Sequence, residues 1–501
     1  MKKSILIALS AVALTTSCVD SLEEYNVDPK RAAVGTAPGV SFISNAERNL
    51  VRTINSANTN LNPFRYYVQY WAATDYPTES RYDINTRNIN GLYWNALYRD
   101  VLRDLREAKT VINADPDLAP DVKANQLACA EVLEIYTWTT LVEVFGNIPY
   151  SQALDINTPL PAYDDQATIY NDLITRLDAV IPKFKVNAGL GDSSPSFDLI
   201  NDGNVGLWVK FANSMKLRMA LTIADVDDAK ARTMVAAAAG NVLTSNADNI
   251  DLTYNGTFPN TNPLFEDLVR SGRRDFVGAN TFINRLKGTE GPVQGIVDPR
   301  LDDYFNENQA GTYAGGIPGS TNNKNTNSEA SDELREQTLP GVVISYAQVE
   351  FMLAEAAARG YAVTGSTESH YNAAIRASIL EWASYAGPSN TPADVVNAAT
   401  EATAYLANPG VAYATAPGAD FREKIGYQKW IALYNQPTES FKEWRRLDSP
   451  KLTRSTRSLT EIPLRFPYPI AEQNVNGTNY NVASSAIGGD VVTTKLFWDK
   501  R

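Results

Sequence analysis

Histidine and cysteine are almost missing from this chain: one histidine, His370, and two cysteines, Cys18 and Cys129, in 501 residues. That scarcity excludes zinc fingers, histidine-rich metal sites, relays needing two imidazoles, and a disulfide framework. Positive charge is also short. Lysine and arginine total 45 against 57 acids, a formal net charge of −12. No basic block is longer than two residues, so counterion-release binding to nucleic acid is argued against. Long apolar runs are absent too. The longest, Ile5 to Leu14, is ten residues, where a membrane-spanning helix needs about 20.

Aromatic rings are abundant by contrast: 25 Tyr, 16 Phe and 8 Trp, or 10% of the chain. Apolar residues at 44% and charged residues at 20% are an ordinary globular balance.

The first residues form an address rather than a fold. Lys2-Lys3 precede the apolar run, which ends in Leu14-Thr15-Thr16-Ser17-Cys18. This resembles a bacterial lipobox, and the resemblance implies a signal peptide over residues 1–17, cleaved before a lipidated Cys18. An ordinary signal peptide with a chance cysteine is the alternative. Buried acyl methylenes at about 0.8 kcal/mol each make several chains a stable anchor. Residues 18–40 then read as a tether. Asp20, Glu23 and Glu24 in it resemble the acidic export signal of Bacteroidetes surface lipoproteins, or simply solvate the tether. Losing Lys2 and Lys3 with no acid takes the net charge from −12 to −14.

From about Ser41 the pattern is helical. Trp94, Leu97, Tyr98, Val101, Leu105, Ala108 and Ile112 keep helical spacing up to Asp115-Pro116. A second stripe, Cys129 to Val144, stops at Gly146 and makes Cys129 a small core residue. Further helices are expected over about 168–181, 204–223, 228–243, 346–356, 371–382, 420–435 and 438–446. Residues 246–340 are rich in Gly, Asn, Pro and Thr and read as a loop-rich insertion, where function often sits. The tail from Ile462 is expected to be extended, with Pro463, Pro467 and Pro469 blocking helix. The pair at 346–382 occupies about 37 residues, near the roughly 34 of a tetratricopeptide unit. The whole is read as one all-α domain over 18–501.

No nucleophile elbow, Walker loop, complete dinucleotide fingerprint or zinc-protease motif occurs. Gly189-Leu190-Gly191 lacks its third glycine and reads as a loop. His370 reads as a surface or capping residue rather than a base. Asp225-Val226-Asp227-Asp228 lacks a calcium-loop glycine and reads as a helix cap. A glycosidase needs only two carboxylates, but nothing selects a pair among 57 acids. The expectation is no enzyme, no metal and no cofactor.

Five ordered segments carry a family resemblance. They are Cys18 with Tyr25-Asn26-Val27-Asp28-Pro29, then Asp298-Pro299-Arg300-Leu301-Asp302-Asp303-Tyr304-Phe305, and Ile344-Ser345-Tyr346 through Ala356. Lys429-Trp430 to Tyr434 with Glu439 to Arg446 is the fourth, and Ile462-Pro463-Leu464-Arg465 with Tyr468-Pro469 the last. Together they resemble the SusD/RagB family of outer-membrane nutrient-binding lipoproteins. The resemblance implies an all-α scaffold of four tetratricopeptide-like helix pairs with long loop insertions. It also implies a non-catalytic lid on a SusC-like TonB-dependent transporter, capturing oligosaccharides or polysaccharides at the cell surface. Peptide capture, as in RagB-like members, is the first alternative, a lipid-anchored glycoside hydrolase the second, and a lid without a ligand the third. Most motif residues, Tyr346, Trp430 and Trp444 among them, read as scaffold, and Asp298 with Arg300 as a loop-fixing salt bridge.

A glycan site should pair ring faces for sugar C–H groups with Asn, Asp, Arg and Tyr for hydroxyls. The segment from Tyr66 through Tyr67, Tyr70, Trp71, Tyr76, Arg81 and Tyr82 to Asn85 fits that description, and the region matches where glycan-binding relatives hold ligand. Trp71, Tyr76, Arg81 and Tyr82 are the first candidates, with Tyr304 and Tyr313 of the middle loops as a second contribution beside Phe276. The competing reading puts Tyr67, Tyr70 and Trp71 on a helix face in the core.

Overall fold

The computed structural model describes residues 37–191, 196–385 and 392–501. Residues 1–17 (the expected signal peptide), Cys18, the acids Asp20, Glu23 and Glu24, and Tyr25–Pro29 lie outside them. Fourteen helices matter here: α1 Gly39–Asn55, α2 Arg103–Ala114, α3 Pro120–Phe145, α4 Gln166–Val180, α5 Val205–Thr222, α6 Asp228–Ala238 and α7 Asn280–Leu286, then α8 Tyr346–Ala358, α9 Thr367–Ala383, α10 Pro392–Leu406, α11 Phe421–Ala432, α12 Pro437–Leu447, α13 Ile470–Val475 and α14 Gly477–Ala486. Four sequential pairs, α1 with α2, α3 with α4, α5 with α6 and α8 with α9, pack against each other. This is the helical, tetratricopeptide-like scaffold that the family resemblance implied, built on the helices that the periodicity marked.

Local chemistry sets the helix ends. Pro120 starts α3, where its missing N–H costs nothing, and Gly146 ends it at φ 90°. Asp165, Asn204, Asp227, Ser345 and Asp420 each cap a helix by accepting a backbone N–H, worth about 1 kcal/mol apiece. Asp227 thus has the capping role its motif suggested. The stripe from Trp94 to Ile112 is interrupted by a π-helical stretch, Ala96–Leu102. Cys129 is fully buried in α3. No helix among the described residues is long and apolar enough to cross a membrane.

Three expectations need correction. The middle segment is less bare than its composition suggested. Strand Phe276–Gly278 (β3) pairs antiparallel with Trp71–Ala73 (β1), and Ile250–Leu252 (β2) pairs with Gly341–Ile344 (β4). α10 was hidden because Ala and Thr blur its period, yet Ala398, Ala402 and Tyr405 form its buried face. The tail holds α13 and α14, because Pro469 precedes a helix instead of preventing one.

Buried charges stitch the pairs together. Arg218 of α5 bridges Glu143 of α3 at 2.5 Å and Glu439 of α12 at 2.7 Å. Lys442 joins Glu439 to Glu443, and Lys429 of α11 meets Glu443 at 2.6 Å. Arg446 joins Glu443 to Glu355 of α8, and Arg359 carries the chain from Glu355 to Asp225. Asp298 and Arg300 form a buried bridge at 2.7 Å, with the Arg300 backbone N–H also donating to Asp298. His370 contacts the Glu350 carboxylate and the Thr364 carbonyl, each at 2.6 Å. It therefore ties α9 to α8.

In other acids burial outweighs the groups that oppose it. Burial first, then Asp302 and Glu333, push the Asp303 carboxyl up to about 8. Burial alone lifts Asp251 to about 6, and burial lifts Glu381 to about 7 against the Tyr385 hydroxyl, with Asp251 adding to the rise. A raised pKa means the native state keeps a proton that the unfolded chain releases near pH 4. This stabilisation is full below about pH 4 and is lost as pH rises through 6 to 8. Glu131 has the opposite sign: burial raises its pKa, but Arg176 and Lys109 outweigh it and hold the carboxyl at about 2. Its contribution is present above about pH 4 and lost as pH falls through 2. We expect the unfolding midpoint to peak near pH 4–5 and decline toward pH 8, and Asp303→Asn to flatten that decline. Thermal scans from pH 4 to 9 check this; equal slopes in both proteins would contradict it.

Candidate functional site

β1 and its pairing with β3 place the first candidate. The ladder continues beyond the strands, since the Thr74 backbone N–H donates to the Asp275 carbonyl at 2.9 Å and its hydroxyl to the Arg274 carbonyl at 2.7 Å. Tyr76, two residues on, is thereby held beside Arg273, Asp275 and Phe276. Pro77 and the single 3-10 turn Glu79–Arg81 close the loop behind it.

A cleft of about 260 Å³ results. Tyr76 is 50% exposed, and Phe276 is partly exposed. Phe276 rests on Tyr66 at 6.0 Å and on Trp71 at 5.0 Å, ring centre to ring centre. The Arg273 guanidinium lies 5.1 Å from the Tyr76 ring centre and donates to Asp275 at 2.5 Å. Asn58, Asn60, Glu79, Arg87 and Asp267 supply the polar rim. Arg87 reaches Glu79 at 2.8 Å. Burial pushes the Asp267 carboxyl up, against the opposing pull of the Ser56 hydroxyl and Arg52. Two partly open rings among amides, carboxylates and guanidinium groups can stack on a flat C–H face and bond hydroxyls around it.

The remaining candidates separate. Trp71 is buried, with Arg65 4.9 Å from its ring centre and its indole N–H donating to the Tyr434 hydroxyl at 2.8 Å. Tyr82 is buried at φ 69°, edge-on to Tyr67. Tyr304 is fully buried, stacked on Tyr434 at 4.3 Å, and donates to the Ile431 carbonyl at 3.0 Å. These three were expected to contact ligand, and in this structure they present no open ring face. Trp71 instead supports Phe276 from below. Arg81 donates to the Gly319 carbonyl at 2.8 Å and ties the middle loop down. Tyr313 lines a different cleft, formed with α10. Tyr67 and Tyr70 are core residues, and Asn85 is exposed.

Sequence reasoning missed Asn58, Asn60, Arg87, Arg273 and Asp267. The asparagine-rich turn Asn58-Thr59-Asn60-Leu61-Asn62 and the Arg273-Arg274-Asp275-Phe276 run were the available signals. Among the described residues, no cluster of three or more His, Cys, Asp or Glu could hold a metal ion.

Compared with known proteins, residues 29–469 match a SusD-like family described as starch-binding and associating with the outer membrane. No curated protein matches the chain. Among solved structures it is similar to a chitin-binding protein at 25% identity and a TM-score of 0.74, covering 91% of this chain and all of that one. It is also similar in fold to a Bacteroidetes SusD-like protein at 21% identity and a TM-score of 0.77, over 93% of this chain and 100% of the other. A SusD homologue from Bacteroides fragilis gives 23% and 0.75 over the same shares.

Proposed function

The chain belongs to the SusD-like family, and from that premise we propose that it is a non-catalytic, lipid-anchored cell-surface protein that captures oligosaccharides or polysaccharides for a SusC-like TonB-dependent transporter. Association with the outer membrane is a family property, and the lipobox-like Cys18 supplies a means of attachment.

The observation that carries the reading is the cleft of Tyr76 and Phe276. Its rings are open to solvent, its rim is built from hydrogen-bonding groups, and strand pairing fixes both sides. That is what binding by stacking and hydroxyl recognition needs, without a metal or a perturbed acid–base pair. The solved relative named as a chitin-binding protein supports a glycan as ligand class. Tethering both lid and transporter in one membrane raises their effective concentration without requiring a tight contact.

The test is calorimetric and fluorescence titration of the chain from residue 19 onward against a polysaccharide panel and mixed peptides. Trp71, buried against Phe276, is placed to report on the cleft. Saturable binding of one glycan class, weakened about tenfold in Tyr76→Ala, is expected, since an aromatic contact is worth about 0.5–1.5 kcal/mol beyond its area. Binding of peptides alone would move the chain to the peptide-importing alternative, and binding unchanged in Tyr76→Ala would remove the cleft from the reading.

A further inference from the structure

The cleft that holds Tyr313 has a different chemistry. Its volume is about 470 Å³, and its walls come from the segment 296–302, Tyr313 and the face of α10 that carries Glu401 and Tyr405. Val297 is 60% exposed within it, and Ile296 and Pro299 extend the aliphatic wall. Asp298, Asp302 and Glu401 are the charged groups of the lining; Asp298 is bridged to Arg300 at 2.7 Å, and no lysine or arginine is itself among the lining residues.

The two remaining carboxylates face other acids. Partial burial first, against the backbone N–H groups of Asp302 and Asp303, and then Asp394 and Asp298 raise the Asp302 carboxyl; partial burial first, then Asp302 and Asp394, raise Glu401. The strongest charges each one feels are therefore negative, whereas Glu131, Glu143 and Glu443 are paired with arginine or lysine. Burial also pushes the Tyr313 phenol up to about 12, with Asp302 and Glu307 adding to it. Lys287 approaches Tyr313 but spends its ammonium on the Tyr313 backbone carbonyl at 2.8 Å. A half-open ring and an aliphatic wall stand beside two like charges in one cavity. A ligand with a flat apolar frame and a positive charge would relieve that repulsion as it stacks.

We propose that this cleft is a second subsite, for a sugar unit carrying a free primary ammonium group: Asp302 and Glu401 take the ammonium, while Tyr313 and Val297 take the ring. A pyranose suits the short ring-plus-wall geometry better than an extended peptide, which would need exposed backbone partners. None of its lining residues belongs to the Tyr76 cleft, so the two readings fail separately.

The experiment is calorimetry of the same chain with glucosamine oligomers, N-acetylated oligomers of equal length, and lysine-containing peptides, at low and high salt. Tyr76→Ala removes the first cleft, and Asp302→Asn with Glu401→Gln removes the charge of the second. Both carboxylates are at the surface, and circular dichroism verifies the fold. Expected is binding of the glucosamine oligomer that survives Tyr76→Ala, falls about tenfold in the double variant and weakens with salt. The N-acetylated oligomer should bind at least tenfold more weakly at this site. Equal binding of the two oligomers in Tyr76→Ala, unchanged binding in the double variant, or preference for the peptides would overturn the proposal.

Discussion

Glu443→Ala is expected to lower the unfolding free energy by about 3–5 kcal/mol, the cost of stranding buried charge. Glu443 lies on α12, almost inaccessible to solvent, and meets Lys429, Lys442 and Arg446 at 2.6, 2.8 and 2.7 Å. Burial opposes its charge, but Arg446, Lys429 and Lys442 outweigh it and hold the carboxyl well below the usual range. Deleting it leaves three cations facing one another with Glu439 and Glu355 as the remaining counter-charges. Lys429→Met should cost much less. Lys429 bridges Glu443, burial already lowers its pKa, and the carboxylate it leaves behind keeps two other cations. Urea unfolding of the two variants, followed by far-ultraviolet circular dichroism, reads the difference. Equal losses, or a loss under about 1 kcal/mol for Glu443→Ala, would mean that the network is hydrated rather than structural.

That network explains why the family motifs are so legible and say so little about ligand. Glu355, Lys429, Glu439, Glu443 and Arg446 all lie in the quoted segments, and all are buried partners in one chain of charges. A buried charge constrains its partner's identity and position, so such residues stand out in a sequence while facing away from solvent. Helices were legible for a related reason. A face that must be buried repeats every 3.6 residues, and Trp94 to Ile112 and Cys129 to Val144 kept that period. Where the face is alanine, as in α10, the pattern fades. The proposed ligand region was legible only as a neighbourhood. Tyr76 and Phe276 come together through a β1–β3 pair whose halves are some 200 residues apart, and three-residue strands leave no alternation to read. In the run from Tyr66 to Tyr82 every ring has the same composition signal, and burial alone separates Trp71 and Tyr82 from Tyr76.

Tyr304 gives that separation its largest expected effect. Tyr304→Ala should destabilise the fold by about 3–5 kcal/mol while leaving the affinity for a captured glycan within a factor of two. The ring packs between Phe282 at 6.0 Å, Trp382 at 4.6 Å and Tyr434 at 4.3 Å. Its hydroxyl donates to the Ile431 carbonyl of α11, and its own carbonyl accepts from the Tyr434 hydroxyl at 3.2 Å. Removing the ring opens a cavity where α7, α9 and α11 meet and leaves the Ile431 carbonyl with one partner fewer. Tyr304→Phe keeps the packing and deletes the hydroxyl alone; the Ile431 carbonyl still accepts the Tyr434 backbone N–H at 3.3 Å, so about 0.5–1.5 kcal/mol is expected from the lost hydrogen bond. A ligand-contacting tyrosine behaves in the opposite way: its alanine variant folds with little loss and binds weakly, the pattern expected of Tyr76→Ala. Chemical denaturation and calorimetric titration of the three variants separate the cases. If Tyr304→Ala retained its stability and lost affinity, the ring would have to open onto ligand in solution, and its assignment to the core would fall.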